Sequence, residues 1–320
     1  MSCYNASRWL GESIESVLNQ SYDDFEFIIV DDGSKDDTPA IIERYATTDD
    51  RIVAISKANT GLADSLNVGI SQARGEWIAR QDADDISAPA RLEKQVQLVM
   101  ANRNIVFVGT GLIEIDEFGR EYSTYRYPTA HSRLLKNLHT AQKFPPHSSA
   151  FYRRDVAQSI SGYRTRFRRS QDRDLWLRLS ALGELACLDE PLVRVRTHPG
   201  QISNDESGRR QRVDATMAMT SYCLCNTGAS DPVDSDDEIF QAFYSWLERE
   251  LSTEGGGGFQ DEKERLKRLF KWRRNGAPAN WIALSVVAHP KFLIRLVCER
   301  LWGSSVAVRL ARKWVKLQIK

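Results

Sequence analysis

Apolar and polar positions alternate in a regular order over the first 85 residues. Leu10, Ile14, Val17 and Leu18 recur at helical spacing with Glu12 and Glu15 between them, which predicts a helix over 8–20. Phe25 to Val30 is a short, largely apolar run suited to a buried parallel strand. It stops at Asp31-Asp32-Gly33-Ser34, and Asp37-Thr38-Pro39 then opens a helix carrying Ile41, Ile42 and Tyr45, with proline at a tolerated first-turn position. A strand at 52–55, a loop from Lys57 to Gly61, a helix over 62–73 and a strand from Trp77 to Arg80 follow. This is βαβ spacing, the signature of a doubly wound parallel sheet. Two acidic strand ends, Asp31/Asp32 and Asp82/Asp84, fall on one carboxyl edge, where such sheets bind ligands.

Further along, 105–115 reads as strand, Gly119 as a turn, and 122–127 as strand. Pro145-Pro146-His147 reads as a loop. Leu175, Trp176, Leu179 and Leu182 predict an amphipathic helix over 172–182, with a strand near 192–196. From Asn204 the alternation stops. Two domains are expected: an α/β domain over 1–204 and a helical region over 205–320. The latter holds an acidic linker (227–262), a flexible joint at Gly255 to Gly258, and a basic amphipathic tail (263–320).

A net charge of +1 removes any global electrostatic case for nucleic acid. It hides an asymmetry, because 263–320 carries fifteen Lys or Arg against Glu264 and Glu299. Leu266, Leu269 and Phe270 form one apolar stripe of this tail, and Val306, Leu310, Trp314 and Leu317 another. Basic amphipathic helices with tryptophan suit an anionic membrane surface; packing on the catalytic domain is the alternative. Five scattered cysteines, only Cys223 and Cys225 close together, fit reduced thiols and a cytoplasmic setting, peripheral on the inner face of the cell membrane. No apolar signal segment follows Met1. The most apolar stretch, 281–297, is interrupted by Pro290, Lys291 and Arg295, so no spanning helix is expected.

The chemistry concentrates at Trp77-Ile78-Ala79-Arg80-Gln81-Asp82-Ala83-Asp84-Asp85. Extended-chain alternation points Asp82 and Asp84 to one side, so both can face one ligand. Clustered carboxylates at a strand exit hold a divalent cation against a phosphorylated ligand; a solvated acidic turn is the bland alternative.

Taken together, these segments resemble the family 2 glycosyltransferases, whose catalytic domain has the GT-A fold, an α/β, Rossmann-like and mostly parallel sheet. The resemblance covers residues 4–203. It rests on Tyr4-Asn5-Ala6, Ile29-Val30-Asp31-Asp32-Gly33-Ser34, Asn59-Thr60-Gly61, Ala79-Arg80-Gln81-Asp82-Ala83-Asp84-Asp85, Pro89-Ala90-Arg91, Gln171-Asp172-Arg173-Asp174-Leu175-Trp176 and Arg196-Thr197-His198, in that order. It implies an inverting enzyme that moves a sugar from a nucleotide-diphospho-sugar, UDP-linked by family habit, to a glycan or lipid-linked acceptor. Polysaccharide or surface-glycan assembly would be its setting.

By resemblance, Tyr4, Asn5, Asp31, Asp32, Asn59, Gly61, Arg80 and Asp82 contact the donor. Asp84 is the primary ligand of Mg2+ or Mn2+, with Asp82 and His198 as further metal contacts. Asp172 is the general base that deprotonates the acceptor hydroxyl, and His147 lines the acceptor side. Helix capping is the alternative role for Asp31, Asp32 and Asp172.

Two departures stand out. Many family members carry Glu-Asp where this chain has Gln171-Asp172. The family also opens on a longer apolar strand, whereas only Met1, Ser2 and Cys3 precede Tyr4. That leaves two expectations, a start placed too late or a truncated copy, of which the first is preferred. The alternative function is a degenerate, non-catalytic, membrane-associated subunit that binds a nucleotide sugar. A haloacid-dehalogenase-like phosphatase is excluded, because its nucleophile would fall on Val30. A nucleotidyltransferase would need a glycine- and arginine-rich phosphate loop near Asn5.

Overall fold

The computed structural model describes residues 1–140, 142–198, 208–226, 228–253, 310–311 and 313–315. They fall into two compact units, Met1–Ala218 and Met219–Lys320.

The first unit opens with the expected alternation. Strand β1 (Ser2–Cys3) leads through α1 (Leu10–Leu18) to β2 (Phe27–Asp31). Helix α2 (Thr38–Ala46), β3 (Ile52–Ser56), α3 (Leu62–Gln72) and β4 (Trp77–Ala79) follow. Helix α1 buries Leu10, Ile14 and Val17, the face set by their spacing, against Phe27, Ile29, Ile42 and Ile52. The pairing β1–β2–β3 is parallel throughout. A parallel bridge from Ser2 to Asp82 places β1 between the end of β2 and the acidic loop after β4. The two acidic segments therefore meet at one edge.

The second half of this unit builds a mixed sheet from β5 (Ile86–Ser87), α4 (Arg91–Ala101), β6 (Ile105–Ile115), β7 (Glu121–Tyr125), α5 (His131–His139), β8 (Phe151–Arg153), α6 (Arg154–Ser159), α7 (Gln171–Leu179) and β9 (Glu184–Arg196). Its order is β4-β8-β6-β9-β5, with β7 on β6. Strands β6 and β9 are parallel, whereas β4–β8 and β5–β9 are antiparallel. Strand β9 is far longer than the stretch expected near 192–196. Its ladder on β6 runs from Ile105 opposite Glu184 to Ile115 opposite Arg196, and Pro191 is absorbed at a register shift opposite Gly111. Proline cannot donate to a ladder, so the pattern reads as broken where the strand continues. Trp77 stacks on Phe151 at 5.0 Å, tying β4 to β8.

Helix α8 (Gly208–Asn226) bears out the helix expected over 205–226. In the second unit, the stretch taken as an acidic linker contains α9 (Asp237–Thr253). Asp237, Glu238 and Glu248 are exposed while Phe240, Phe243, Trp246 and Leu247 are buried, so the charge count masked an amphipathic helix. Trp314 is buried against Phe243 (4.9 Å) and Trp246 (5.3 Å), and Lys313 pairs with Glu250 at 2.6 Å. An indole packed in protein is not presented to a membrane. The glycine joint, the first stripe of the basic tail, Val306 and Leu317 lie outside the described residues. No described helix is long and apolar enough to cross a membrane.

Candidate active site

At the end of β2, Asp31 and Asp32 divide their labour. Asp32 Oδ1 accepts from Lys57 Nζ (2.6 Å) and the Thr60 amide (3.0 Å), and Oδ2 from the Gly61 amide (2.8 Å). Burial alone would raise its pKa, but these donors and Ser65 outweigh it and hold the carboxyl below the usual range. Asp32 thus pins the Asn59-Thr60-Gly61 loop to the sheet, with both oxygens engaged. Asp31 accepts one bond, through Oδ1 from the Ser34 amide (3.1 Å). Gly33 is obligatory: it sits at φ +76°, and a Cβ there would lie 2.9 Å from the Asn59 amide nitrogen. The Asn5 amide donates to Ser34 Oγ and Asn5 Oδ1 accepts from the Lys35 amide, which fastens the Tyr4-Asn5 turn to this same corner. Tyr4 is exposed.

The loop after β4 stands on a buried polar scaffold. Gln81 donates to Ser13 Oγ (3.1 Å) and to the Asp85 carbonyl (2.8 Å), and its Oε1 accepts from Ser87 (2.7 Å) and Arg91 (3.0 Å). Arg91 also donates to the Arg80 carbonyl at 2.6 Å; burial and the neighbouring Arg80 charge press its pKa down to about 9. Ser13 Oγ reaches the Asp82 carbonyl at 2.8 Å. Gln81, Ser87 and Arg91 satisfy one another under the loop, which fixes its shape, while Arg80 Nε is buried without a partner among the described residues.

On that scaffold the carboxylates diverge. Arg80 is 2% exposed and its guanidinium grips Asp82, so it faces inward rather than into open solvent. Burial would raise the Asp82 pKa, but Arg80, with help from His147, holds it low. Asp84 Oδ2 meets His198 Nε2 at 2.9 Å, with Trp9 packed 4.4 Å from the imidazole. Burial and the Asp82 charge raise the Asp84 pKa, with His198 opposing. Asp85 is buried and receives the Arg196 amide at 2.9 Å; burial, then Asp84 and Asp82, push its carboxyl well above the usual range. Arg196 binds the Asp84 carbonyl through Nε at 3.0 Å and pairs with Glu12, clamping the loop to the end of β9.

Among the described residues, no group of three His, Cys, Asp or Glu side chains is arranged to hold a metal ion. The Asp84–His198 pair does supply an oxygen and a nitrogen donor to one point. A divalent cation on a diphosphate takes one or two protein ligands, the rest coming from phosphate and water, so the donor set fits. Asp82, expected as a further metal contact, is paired with Arg80.

The acceptor-side residues come from α7. Its N-cap is Ser170, in the left-handed region at φ 53°, and no side chain caps it, so Asp172 does not fill the capping role. Asp174 is fully buried and bound by Arg164 and by Arg178 (2.7 Å). Asp172, two residues earlier, makes no ion pair among the described residues, where it accepts the Arg173 amide at 2.8 Å. Asp172 is thus half-buried, with Arg173 near it but not paired to it among the described residues. His147 lies within electrostatic reach of Arg80, Asp82 and Asp172, and bonds the Tyr163 hydroxyl at 2.8 Å. The structural roles of Lys57, Asp85 and Arg196 were missed from sequence, although Asp85 and Arg196 lie in the family-like motifs. The Arg80–Asp82 charge pair at i,i+2 was visible but ambiguous.

The glycosyl transferase family 2 model matches residues 1–161. The putative glycosyltransferase EpsE of Bacillus subtilis (strain 168) is 42% identical over 206 residues, 61% of this chain and 71% of that protein. The O-antigen biosynthesis glycosyltransferase WbnJ of Escherichia coli is 33% identical over 180 residues, 56% and 69% of the two chains. Among solved structures, S. aureus TarS 1–349 in complex with UDP-GlcNAc superimposes with a TM-score of 0.60 at 16% identity, covering 83% of this chain and 77% of TarS. The parallel β1–β2–β3 sheet, the acidic edge and these matches agree: the chain is a GT-A glycosyltransferase and belongs to glycosyl transferase family 2.

Proposed function

We propose that this enzyme moves a sugar, with inversion, from a UDP-linked donor to a hydroxyl of a growing surface polysaccharide or lipid-linked glycan. The observation that carries the reading is the contrast within α7: Asp174 is consumed by two arginines, while Asp172 makes no ion pair among the described residues. Asp172 takes the proton as the acceptor oxygen attacks C1 from the face opposite the diphosphate. The new O–C1 bond forms as the C1–O bond to phosphate breaks, and the nucleoside diphosphate leaves with the electron pair. Asp84 and His198 are the residues that would hold Mg2+ or Mn2+. Such a cation neutralises charge growing on the leaving group. Asp31, with one carboxylate oxygen unengaged among the described residues, is placed to accept from the base or ribose, and Asp32 acts through the loop it pins. Arg80 and Asp82 shape the phosphate side as a pair.

The glycan-assembly setting is supported by WbnJ, whose name assigns it to O-antigen biosynthesis. We place the reaction in the cytoplasm, which suits a chain whose described cysteines form no disulfide. The membrane role expected of the basic tail rests on residues 263–309 and 316–320, which lie outside the described residues.

The test offers UDP-, GDP- and dTDP-sugars to the protein with Mg2+ or Mn2+ and follows anomeric configuration by proton NMR. One UDP-sugar consumed with inversion supports the reading, and retention would refute the single-displacement step. Preference for a GDP-sugar would replace the donor assignment. Tight nucleotide-sugar binding without turnover would favour the non-catalytic subunit.

A further inference from the structure

Pro145 and Pro146 lead into a tight turn over His147–Ser149, closed by the Ser149 amide (3.0 Å) and hydroxyl (2.9 Å) on the Pro146 carbonyl. That turn sets the His147 ring edge-on to Trp176, at 5.9 Å and 70°. Trp176 lies four residues after Asp172 on α7, so the two share one helix face. His147 is thereby held on the general base's side of the helix. Its Nε2 meets the Tyr163 hydroxyl at 2.8 Å. Tyr163 cannot drift, because its amide and carbonyl are both gripped by Asn67, at 2.8 and 2.7 Å. Among the described residues His147 Nδ1 makes no hydrogen bond, although the ring is otherwise fixed on two sides.

We infer that the Tyr163 hydroxyl donates to His147 Nε2, fixing the tautomer with the proton on Nδ1, and that this N–H binds a hydroxyl of the acceptor sugar beside the one Asp172 deprotonates. This rests on the transferase reading above and assigns an acceptor contact to it. The surroundings favour a neutral ring. Burial and the Arg80 charge lower the imidazole pKa to about 4, against weaker pulls from Asp82 and Asp172. Burial and the nearby Tyr152 hold Tyr163 a phenol, able to donate. A neutral imidazole has one donor and one acceptor; with the acceptor occupied by a phenol, the donor is left for a ligand. A charged histidine would instead compete with the acceptor for Asp172.

The experiment uses the full chain, His147→Asn and Tyr163→Phe, with octyl glycosides of glucose, galactose and N-acetylglucosamine as acceptor probes. Nitrogen-15 NMR of the imidazoles reads the tautomer, and one assay reads sugar transfer relative to donor hydrolysis. The expected result is an Nδ1–H tautomer that becomes mixed in Tyr163→Phe, with the transfer-to-hydrolysis ratio lowered about tenfold in both variants, the worth of one hydrogen bond. An Nε2–H tautomer in the unmodified protein would overturn the inference. So would a ratio unchanged within about twofold, or equal loss of transfer and hydrolysis, either of which marks a merely structural pair. A folded protein that consumes no sugar nucleotide would sink the transferase reading itself, and the acceptor role with it.

Discussion

Asp84 Oδ2 and His198 Nε2 lie 2.9 Å apart although 114 residues separate them in the chain. The contact exists because β9 runs parallel to β6 for its whole length and ends with Arg196 bonded to both Asp84 and Asp85. A carboxylate and an imidazole brought together by a buried clamp are the oxygen and nitrogen donors that would hold the proposed cation.

Adding Mn2+ or Mg2+ with a nucleoside diphosphate is expected to raise Tm by several degrees, as a ligand at about 100-fold its Kd contributes about 2.7 kcal/mol. Asp84→Ala and His198→Ala should lose most of that rise while keeping their far-UV circular dichroism. A rise undiminished in both variants, read by differential scanning fluorimetry, would place the cation elsewhere.

The two acidic residues of α7 should part company on substitution. Asp172→Asn keeps size and packing but cannot take the proton, so kcat should fall about 10²- to 10⁴-fold with Tm nearly unchanged. Asp174→Asn leaves Arg164 and Arg178 facing a neutral amide in a buried site, for an expected loss of about 3–5 kcal/mol of stability. Denaturant unfolding beside steady-state kinetics distinguishes them; equal stability losses would contradict the assignment.

Much of this was legible in sequence for a physical reason. Apolar runs that stop at aspartates reveal strand ends, so the shared edge of Asp31 and Asp82 followed from βαβ spacing alone. What pattern cannot reveal is which carboxylate the fold consumes. Asp32 and Asp31 are neighbours of one type, and only the distant Lys57, Thr60 and Gly61 make Asp32 structural. The burial of Arg80, Gln81 and Arg91 could not be read from sequence, because a buried polar network leaves no hydrophobic signature. Strand β9 was shortened by Pro191, and α9 was hidden by its acidic face.

Gly33→Ala would force a Cβ to within 2.9 Å of the Asn59 amide nitrogen in a left-handed conformation. The loop that Asp32 pins should loosen, at about 1–3 kcal/mol. Nucleoside diphosphate affinity should fall with stability; unchanged calorimetric binding would detach this corner from the nucleotide.

His147 gives a pH signature with a definite sign. Its pKa falls from 6.5 unfolded to about 4 folded, so between those values the unfolded chain binds the extra proton. The stability it contributes is full above pH 6.5 and is lost as pH falls toward 4, by ~3 kcal/mol at most. In His147→Asn the decline of stability across that window should be shallower. Parallel curves would show that His147 is already charged or exposed.

The most direct measurement is release of nucleoside diphosphate from a sugar-nucleotide panel, with and without divalent cation, for the natural sequence, Asp84→Ala and Asp172→Asn side by side. The expected result is cation-dependent release from one donor, abolished in the first variant and cut at least 100-fold in the second. Cation-independent release, or release undiminished in Asp172→Asn, would contradict the account.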